Sequence, residues 1–365
     1  FSGEPPAQLA ATLVIRFPSA PGSPQTFLMA SDLLAPPTYT IRRLCPADAQ
    51  GVADCVREIY GATYVHPELY RPEEIVRLNE TLELVSVVAL DALGQVVGHY
   101  ALERPELGPL AETGEALVLP EHRHHQLMEE MRELLEAEAQ RLQLTGLFGN
   151  VVTNHVFSQR VVGRFGEFPT ALSLGWSPAS FHNLPEALPQ RMSEVVYFKF
   201  LGSPPPQPVS LPPRHAEWCR RIWAQLERPI AERPASAATG DTELDCQERS
   251  DLGRTIVRVR RIGPDATRQV VQQRERLIAA GLETLFVELP LADQAAPELC
   301  EQLEAAGFFF SGLGPAFAPS GDVLRLQWQR DPLDPSLVKL ESPLARELLD
   351  YVVAERRRVG GANAS

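Results

Sequence analysis

The residues that could carry out chemistry fall in one stretch in the first half of the chain. Glu115 is a carboxylate just before the apolar run Leu117, Val118 and Leu119, and His155 is an imidazole that follows a second apolar run. Side chains of these types accept and donate protons in general acid and base catalysis. A group of histidines lies between them: His122, His124 and His125. No fourth ligand stands at a recognisable spacing, so we expect anion contacts and no metal.

The elements around these residues form a βαβ-type unit. A strand ends at Pro120, a short polar turn contains Arg123, and a long amphipathic helix follows. Next come a strand at Leu147–Val152 and a helix that we expect to begin at Asn154 and to end near Gly166. The turn before the long helix directs backbone N–H groups beyond the strand, and such groups form an anion site without net positive charge.

The elements that precede this unit are predicted from apolar periodicity. A strand at 39–44 leads into a helix that begins near Pro46, and Pro72 begins a second helix. Strands at 84–90 and 95–103 read as a hairpin. Residues 1–37 are rich in proline, alanine and serine, and we predict an extended arm or a linker.

The second half of the chain repeats part of this order. We predict a proline-rich linker with one helix at 201–250. The segment 251–358 then alternates strand, helix, strand and helix before a Gly-Phe step, which indicates a diverged internal duplication. The basic triplet at 356–358 is interpreted as a solvated face on a closing helix.

Composition restricts the classes of function. The formal net charge of −13 and the pI of about 5.2 argue against a nucleic-acid surface. No apolar run is long enough for a membrane span. The 5 cysteines never stand in a CxxC spacing, and we expect a reducing, cytoplasmic location.

The segment VLPEHRHHQLMEEMRELL, together with NHVFSQRVVGRFGEF, resembles the GNAT superfamily of N-acyltransferases. The resemblance implies an α/β (α+β) fold for residues 38–200, with a mixed, mostly antiparallel sheet flanked by helices, and a degenerate second copy at 251–358. It implies acetyl-CoA or another acyl-CoA as co-substrate and an amine as acceptor. Glu115 and His155 would be catalytic. The cofactor would be bound by Leu117, Val118, Leu119, Arg123, His124, His125, Gln126, Leu127, Met128, Asn154 and Ser158.

Several of these residues have a second interpretation. Glu115 could be a strand-edge carboxylate that faces solvent, His155 a helix-start residue, and Ser158 a surface serine. Gln126 and Met128 stand where the family has small residues, and Val162 stands where it often has a tyrosine acid. A non-catalytic module that senses acyl-CoA or a protein partner is therefore the alternative function.

The acceptor and the partners are less closely defined by the sequence. Loops at 63–71 and 103–110 are expected to form the acceptor pocket. We also expect an upstream signalling domain or a homo-oligomer as a possible partner.

Overall fold

The computed structural model describes residues 38–180 and 188–362, and its elements follow the apolar patterns of the sequence. The predicted arm or linker at 1–37 lies outside the described residues. The residues from Tyr39 onward form one unit. Within the described ranges, no helix is both long enough and apolar enough to cross a membrane.

The first half of this unit contains seven strands and four helices. Their bounds are β1 Thr40–Arg43, α1 Ala49–Tyr60, α2 Pro72–Glu80, β2 Leu84–Leu90, β3 Val96–Glu103, β4 Leu110–Val118, α3 Leu127–Arg141, β5 Gly146–Val152, α4 Phe157–Arg164, β6 Phe168–Ser177 and β7 Met192–Phe200. Pro72 begins α2, with Glu73 and Glu74 in its first turn as predicted. The helix expected at Asn154 begins instead at Phe157, because Asn154 belongs to the turn that follows β5.

The second half repeats strands and helices in the predicted order. Its elements are β8 Gln207–Val209, α5 Ala216–Gln225, β9 Ile230–Glu232, β10 Glu243–Arg249, β11 Arg254–Arg261, α6 Ala266–Ala279, β12 Thr284–Pro290, α7 Ala296–Ala305, β13 Phe309–Ala318, β14 Gly321–Gln329 and α8 Pro343–Ala362. β8 and β9 form a small parallel sheet of their own.

The other strands form one sheet of 12 strands in the order β1-β2-β3-β4-β5-β7-β6-β13-β14-β12-β11-β10. Neighbouring strands are antiparallel except for β4 with β5 and β11 with β12. The expected mixed, mostly antiparallel sheet flanked by helices is therefore confirmed. The run β3-β4-β5-β7-β6 in the first half of the sheet has the same strand order as the run β10-β11-β12-β14-β13 in the second half, when each run is followed toward the junction of the two halves. That symmetry agrees with a duplication, and the division into domains stays a prediction.

The hydrophobic core does not divide at the predicted linker. One cluster packs α1, α2 and α3 against β2, β3 and β4. The other joins side chains of β6 and β7, such as Leu172 and Val195, to the whole C-terminal half. It includes Cys219, Ile222 and Trp223 of α5, which are at most 1% exposed. The helix expected within the segment 201–250 therefore packs into the core of the C-terminal half, and the assignment of this segment as a linker stays a prediction.

The two halves of the sheet pair as neighbouring strands at Ala171 of β6 and Gly312 of β13. Gly312 has a φ of 136°, a conformation that residues with a β-carbon rarely adopt. A β-carbon there would lie 2.3 Å from the carbonyl oxygen of Thr170 and 2.4 Å from the Cα of Ala171. The strand junction therefore depends on a glycine at this position.

We expect Gly312→Ala to lower the free energy of unfolding by at least ~2 kcal/mol, because the added methyl group must push apart two backbones in the sheet. Urea unfolding measures the change. Gly163→Ala is the matched control, since it lies in α4 with nothing within 4 Å of the added carbon. Equal stabilities of the two variants would contradict this account of the junction.

Candidate active site in the gap between two strands

The candidate site lies where β4 and β5 separate. The two strands pair in parallel only from Leu110 with Gly146 to Glu112 with Phe148. Beyond this point β4 stays paired with β3, and β5 stays paired with β7. The Glu112 carboxylate compensates for part of the lost ladder, because it accepts hydrogen bonds from the backbone N–H of Asn150 at 3.3 Å and from its side-chain amide at 2.8 Å.

Glu115 lies in this gap, and its backbone directs it there. The register of β3 and β4 shifts between His99 and Ala101, and Glu115 has a φ of 60°. The Nδ1 of the buried His99 lies 2.9 Å from the Glu115 carbonyl oxygen, to which it donates. Burial lowers the pKa of His99, so the ring is neutral and Ser86 can donate to its other nitrogen. The hydrogen bond from His99 on β3 thus holds the bulge at Glu115 in place.

The Glu115 side chain is buried, with only 2% of it exposed. The Tyr64 hydroxyl donates to one carboxylate oxygen at 2.6 Å, and His66 Nδ1 lies 2.9 Å from the other. The interpretation of Glu115 as a solvent-facing strand-edge carboxylate is therefore wrong. Burial opposes a charge on His66, but Glu115 and Glu68 raise the pKa of His66 well above its ordinary value. His66 therefore carries a positive charge at neutral pH.

A cavity of about 210 Å³ surrounds Glu115. β4, β5 and α4 form its floor, and Tyr60 and Tyr64 stack on each other at one side with ring centroids 4.4 Å apart. Two residues predicted to bind the cofactor, Met128 and Ser158, line this cavity. The loop at 63–71, predicted to form the acceptor pocket, also reaches it through His66.

Three more carboxyl groups line the same cavity. Burial, and then the charge of Glu115, raises the pKa of Glu103 well above its ordinary value. Burial likewise raises the pKa of Glu112, and it raises the pKa of Glu194 to about 8. The cavity therefore contains carboxyl groups that hold protons at neutral pH and that would ionise beside a cation.

The C-terminal half closes the cavity with two arginines, Arg249 and Arg254. Arg249 donates to the carbonyl of Val65 at 3.1 Å. Arg254 stacks on Trp176 with its guanidinium carbon 3.6 Å from the ring centroid. Burial lowers the pKa of Arg254 to about 10, so it keeps its charge at neutral pH.

The N-terminus of α3 forms the second part of the site. His124 and Gln126 have φ angles of 70° and 59°, so the backbone adopts there the left-handed conformation that glycine favours. In the part of the chain that the structure describes, the N–H groups at 127–129 have no protein acceptor. Arg123 is exposed beside them, and its Nε donates to the Val118 carbonyl at 3.1 Å.

Among the residues that the structure describes, the histidines of this turn belong to no group with metal-compatible spacing. Tyr39 holds two of them, through a contact of 3.0 Å between its hydroxyl and His122 Nδ1 and through a ring contact with His125. Among the described residues, two other groups have metal-compatible spacing. One is His66, Glu103 and Glu115, and the other is His215, Cys300 and Glu304.

Asn154 and His155 are among the predicted site residues that do not line the cavity around Glu115. Asn154 lines a different cavity beside Lys339. The ring of His155 contacts Phe157, while its carbonyl accepts from Gln159. Burial, and then the charge of Lys339, lowers the pKa of His155. The turn after β5 turns both residues away from the gap, so the structure does not bring His155 together with Glu115.

The sequence analysis missed most of the charged and aromatic residues of the cavity. They are Tyr60, Tyr64, His66, Glu103, Glu112, Glu194, Arg249 and Arg254. The run YGATYVHPELY was the available signal, because two tyrosines and a histidine are dense there within an expected acceptor loop. Arg249 and Arg254 come from the other half of the chain and gave no local signal.

The known structures that are similar to this protein match less than half of the chain. No family model matches the sequence, and no curated protein matches it. Solved structures that are similar to about 45% of the chain include three acetyltransferases. One is of the GNAT family from Staphylococcus aureus Mu50 (12% identity, 45% of this chain and 100% of that one, TM-score 0.36).

The second is the ribosomal-protein-S18-alanine N-acetyltransferase from Escherichia coli (12% identity, 45% and 95% of the two chains, TM-score 0.37). The third is the PaiA N-acetyltransferase from Thermoplasma acidophilum in complex with coenzyme A (15% identity, 45% and 99%, TM-score 0.33).

Glu194 allows a test of the burial of this cavity. Its carboxyl group titrates near 4.5 when unfolded and near 8 when folded. Between these values the folded state holds a proton that the unfolded state has released, so stability falls as pH rises through this window. The uncharged side chain of Glu194→Gln has no proton to lose, so the variant avoids this fall in the free energy of unfolding. The fall is at most about 1.4 kcal/mol for each unit of the pKa difference. We expect the variant to gain up to a few kcal/mol on the wild type between about pH 5 and about pH 8.

Urea unfolding at several pH values measures this gain. Glu133→Gln, an exposed change on α3, is the control and should leave the pH dependence unaltered. Identical pH slopes for wild type and Glu194→Gln would contradict the burial of Glu194.

Proposed function

We propose that this chain is an N-acyltransferase that moves an acyl group, most simply acetyl, from coenzyme A to an amine by direct attack. The observation that carries the proposal is the buried Glu115 carboxylate in the gap between β4 and β5, bonded to Tyr64 and His66. A base held inside a gap suits proton removal from a bound nucleophile.

The coenzyme would occupy the gap and the turn before α3. The free N–H groups at 127–129 suit the pyrophosphate, with Arg123, His124 and His125 on the exposed rim and Gln126 in the turn. The pantetheine arm would run between the strands, past Met128 and Ser158, which line the cavity. Leu117, Val118 and Leu119 are buried, and they support the strand from the core side.

The reaction needs one bond formed and one broken. The neutral amine attacks the thioester carbonyl, the C–N bond forms, the C–S bond breaks, and coenzyme A leaves as a thiolate. Glu115 accepts one proton from the entering ammonium ion before the attack, and the proton that the nitrogen loses after the attack returns to the tyrosine that protonates the thiolate. Tyr60 is the candidate donor to the thiolate, because it lines the cavity and burial raises its pKa, so that its hydroxyl keeps its proton. His155 has no role in this scheme.

The acceptor would approach as a cation. Glu103, Glu112 and Glu194 line the cavity, and a bound ammonium group would compensate for the burial of their charged forms. An acidic pocket of this kind favours an amine over an alcohol or a carboxylate.

The departures from the family motif favour the second candidate, a non-catalytic module that binds acyl-CoA. Val162 lines the cavity at the position of the family's tyrosine acid, so no hydroxyl is available there. Gln126 and Met128 add side chains to the turn. A protein with these changes could bind the coenzyme without turning it over.

We expect Glu115→Gln to lower kcat/KM for acetyl transfer by 10²–10⁴ fold, because the amide cannot accept the proton. A thiol-detection assay with acetyl-CoA and a panel of primary amines measures turnover, and calorimetry with coenzyme A measures binding. Glu133→Gln is the control for a neutralised glutamate away from the cavity. Binding of coenzyme A without turnover on any amine would favour the sensor, and the absence of binding would overturn both candidates.

The conformation of Gln126 gives a separate test of the cofactor turn. Glycine adopts a positive φ freely, whereas a β-branched residue does so at a cost of ~1–3 kcal/mol. We expect Gln126→Gly to bind coenzyme A at least as tightly as the wild type, and Gln126→Val to bind it at least 5-fold more weakly, on the order of 1 kcal/mol. Calorimetry compares the two variants, and equal affinities would exclude this turn as the pyrophosphate site.

A further inference from the structure

A second cavity shares no lining residue with the cavity around Glu115. Its volume is about 870 Å³, and it lies between α6, α8 and β14, below the segment that follows β14. Its apolar lining includes Ile278, Phe309, Trp328, Leu333 and Val353. A volume of this size is typical of small-molecule sites.

The charged groups that line this cavity all have the same sign. Arg274, Arg356 and Arg357 line it, and none of its described lining residues is acidic. The chain as a whole has a net charge of −13, so a cavity whose charged lining residues are all cations differs from the rest of the chain. The neighbouring acids Glu275 and Asp331 attract Arg274 and Arg356 respectively but do not line the cavity.

Arg274 has bonding capacity that the described residues leave unused. One of its terminal nitrogens donates to the Ala306 carbonyl at 2.5 Å, but its buried Nε has no partner. The guanidinium carbon lies 5.5 Å from the Phe308 ring centroid and 5.9 Å from that of Trp328. Burial lowers the pKa of Arg274, which means that its charge lacks full solvation.

Gln329 adds a neutral polar side chain to the lining of this cavity. It is 8% exposed, and its side-chain nitrogen donates to the Leu174 carbonyl at 3.0 Å. Three cations and an amide beside an apolar interior suit a ligand that has an anionic head group and an apolar tail.

The basic triplet at 356–358 belongs to this region and is not the solvated face expected from the sequence. Arg356 lies over the Phe309 ring at 6.0 Å, and Arg358 pairs with Glu304 and Glu355. Only Arg357 is exposed, at the cavity wall. The triplet is therefore divided between a cavity and an ion-pair network.

We propose that this cavity binds an amphipathic anion, a single-chain fatty carboxylate whose tail fills the apolar interior and whose head contacts Arg274. The positive charge of the Arg274 guanidinium attracts the carboxylate, and Arg356 and Arg357 add attraction from α8. This site is separate from the acyl-transfer gap and does not depend on the proposed function.

The test is calorimetric titration of the full chain with decanoate below its micelle concentration. We expect one site, at least 10-fold weaker binding of decyltrimethylammonium, which has the same tail with the opposite charge, and at least 10-fold weaker decanoate binding by Arg274→Gln. Arg268→Gln, an exposed change on the same helix, should bind decanoate as the wild type does.

Val353→Phe fills the cavity and keeps every charge, so it tests the site even if Arg274→Gln folds poorly. We expect it to abolish decanoate binding without affecting the binding of coenzyme A. The proposal is overturned if decanoate does not bind, if both probes bind equally, or if Val353→Phe binds decanoate normally.

Discussion

The separation of β4 from β5 after Glu112 is the constraint on which the rest of the site depends. A parallel pair that stops after three residue pairs leaves backbone groups facing a gap in the middle of a large sheet. Asn150 finds a substitute acceptor in the Glu112 carboxylate. The bulge at Glu115, which the neutral His99 holds from behind, directs a carboxylate into the same gap. The opening is thus built into the sheet.

The same gap explains why the two halves of the chain belong together. One hydrophobic cluster lies on the β4 side, and the other extends from β6 and β7 through the C-terminal half. The C-terminal half also closes the cavity with Arg254, which stacks on Trp176 of β6. A boundary drawn in the proline-rich segment would cut through a core and through the wall of the candidate site. Whether or not the halves arose by duplication, they fold and function together in this account.

The sequence predicts those features of the fold that depend on residues close together along the chain. Strand alternation, the position of Pro72 and the apolar stripe of α3 predicted most elements, and the resemblance named Glu115, Met128 and Ser158, which line one cavity. Contacts between distant segments have no such pattern. Glu194 and Arg254 reach the cavity from strands far along the chain, and the burial that shifts their pKa values exists only after the sheet forms. His155 was misplaced because the turn after β5, rather than a helix, follows Val152.

A crystal structure of the chain with acetyl-CoA tests the central claim most directly. The account predicts the pyrophosphate at the N–H groups of 127–129, the pantetheine between β4 and β5, and the thioester in the cavity that contains Glu115. Acetyl-CoA bound elsewhere, with the gap between β4 and β5 empty, would contradict it.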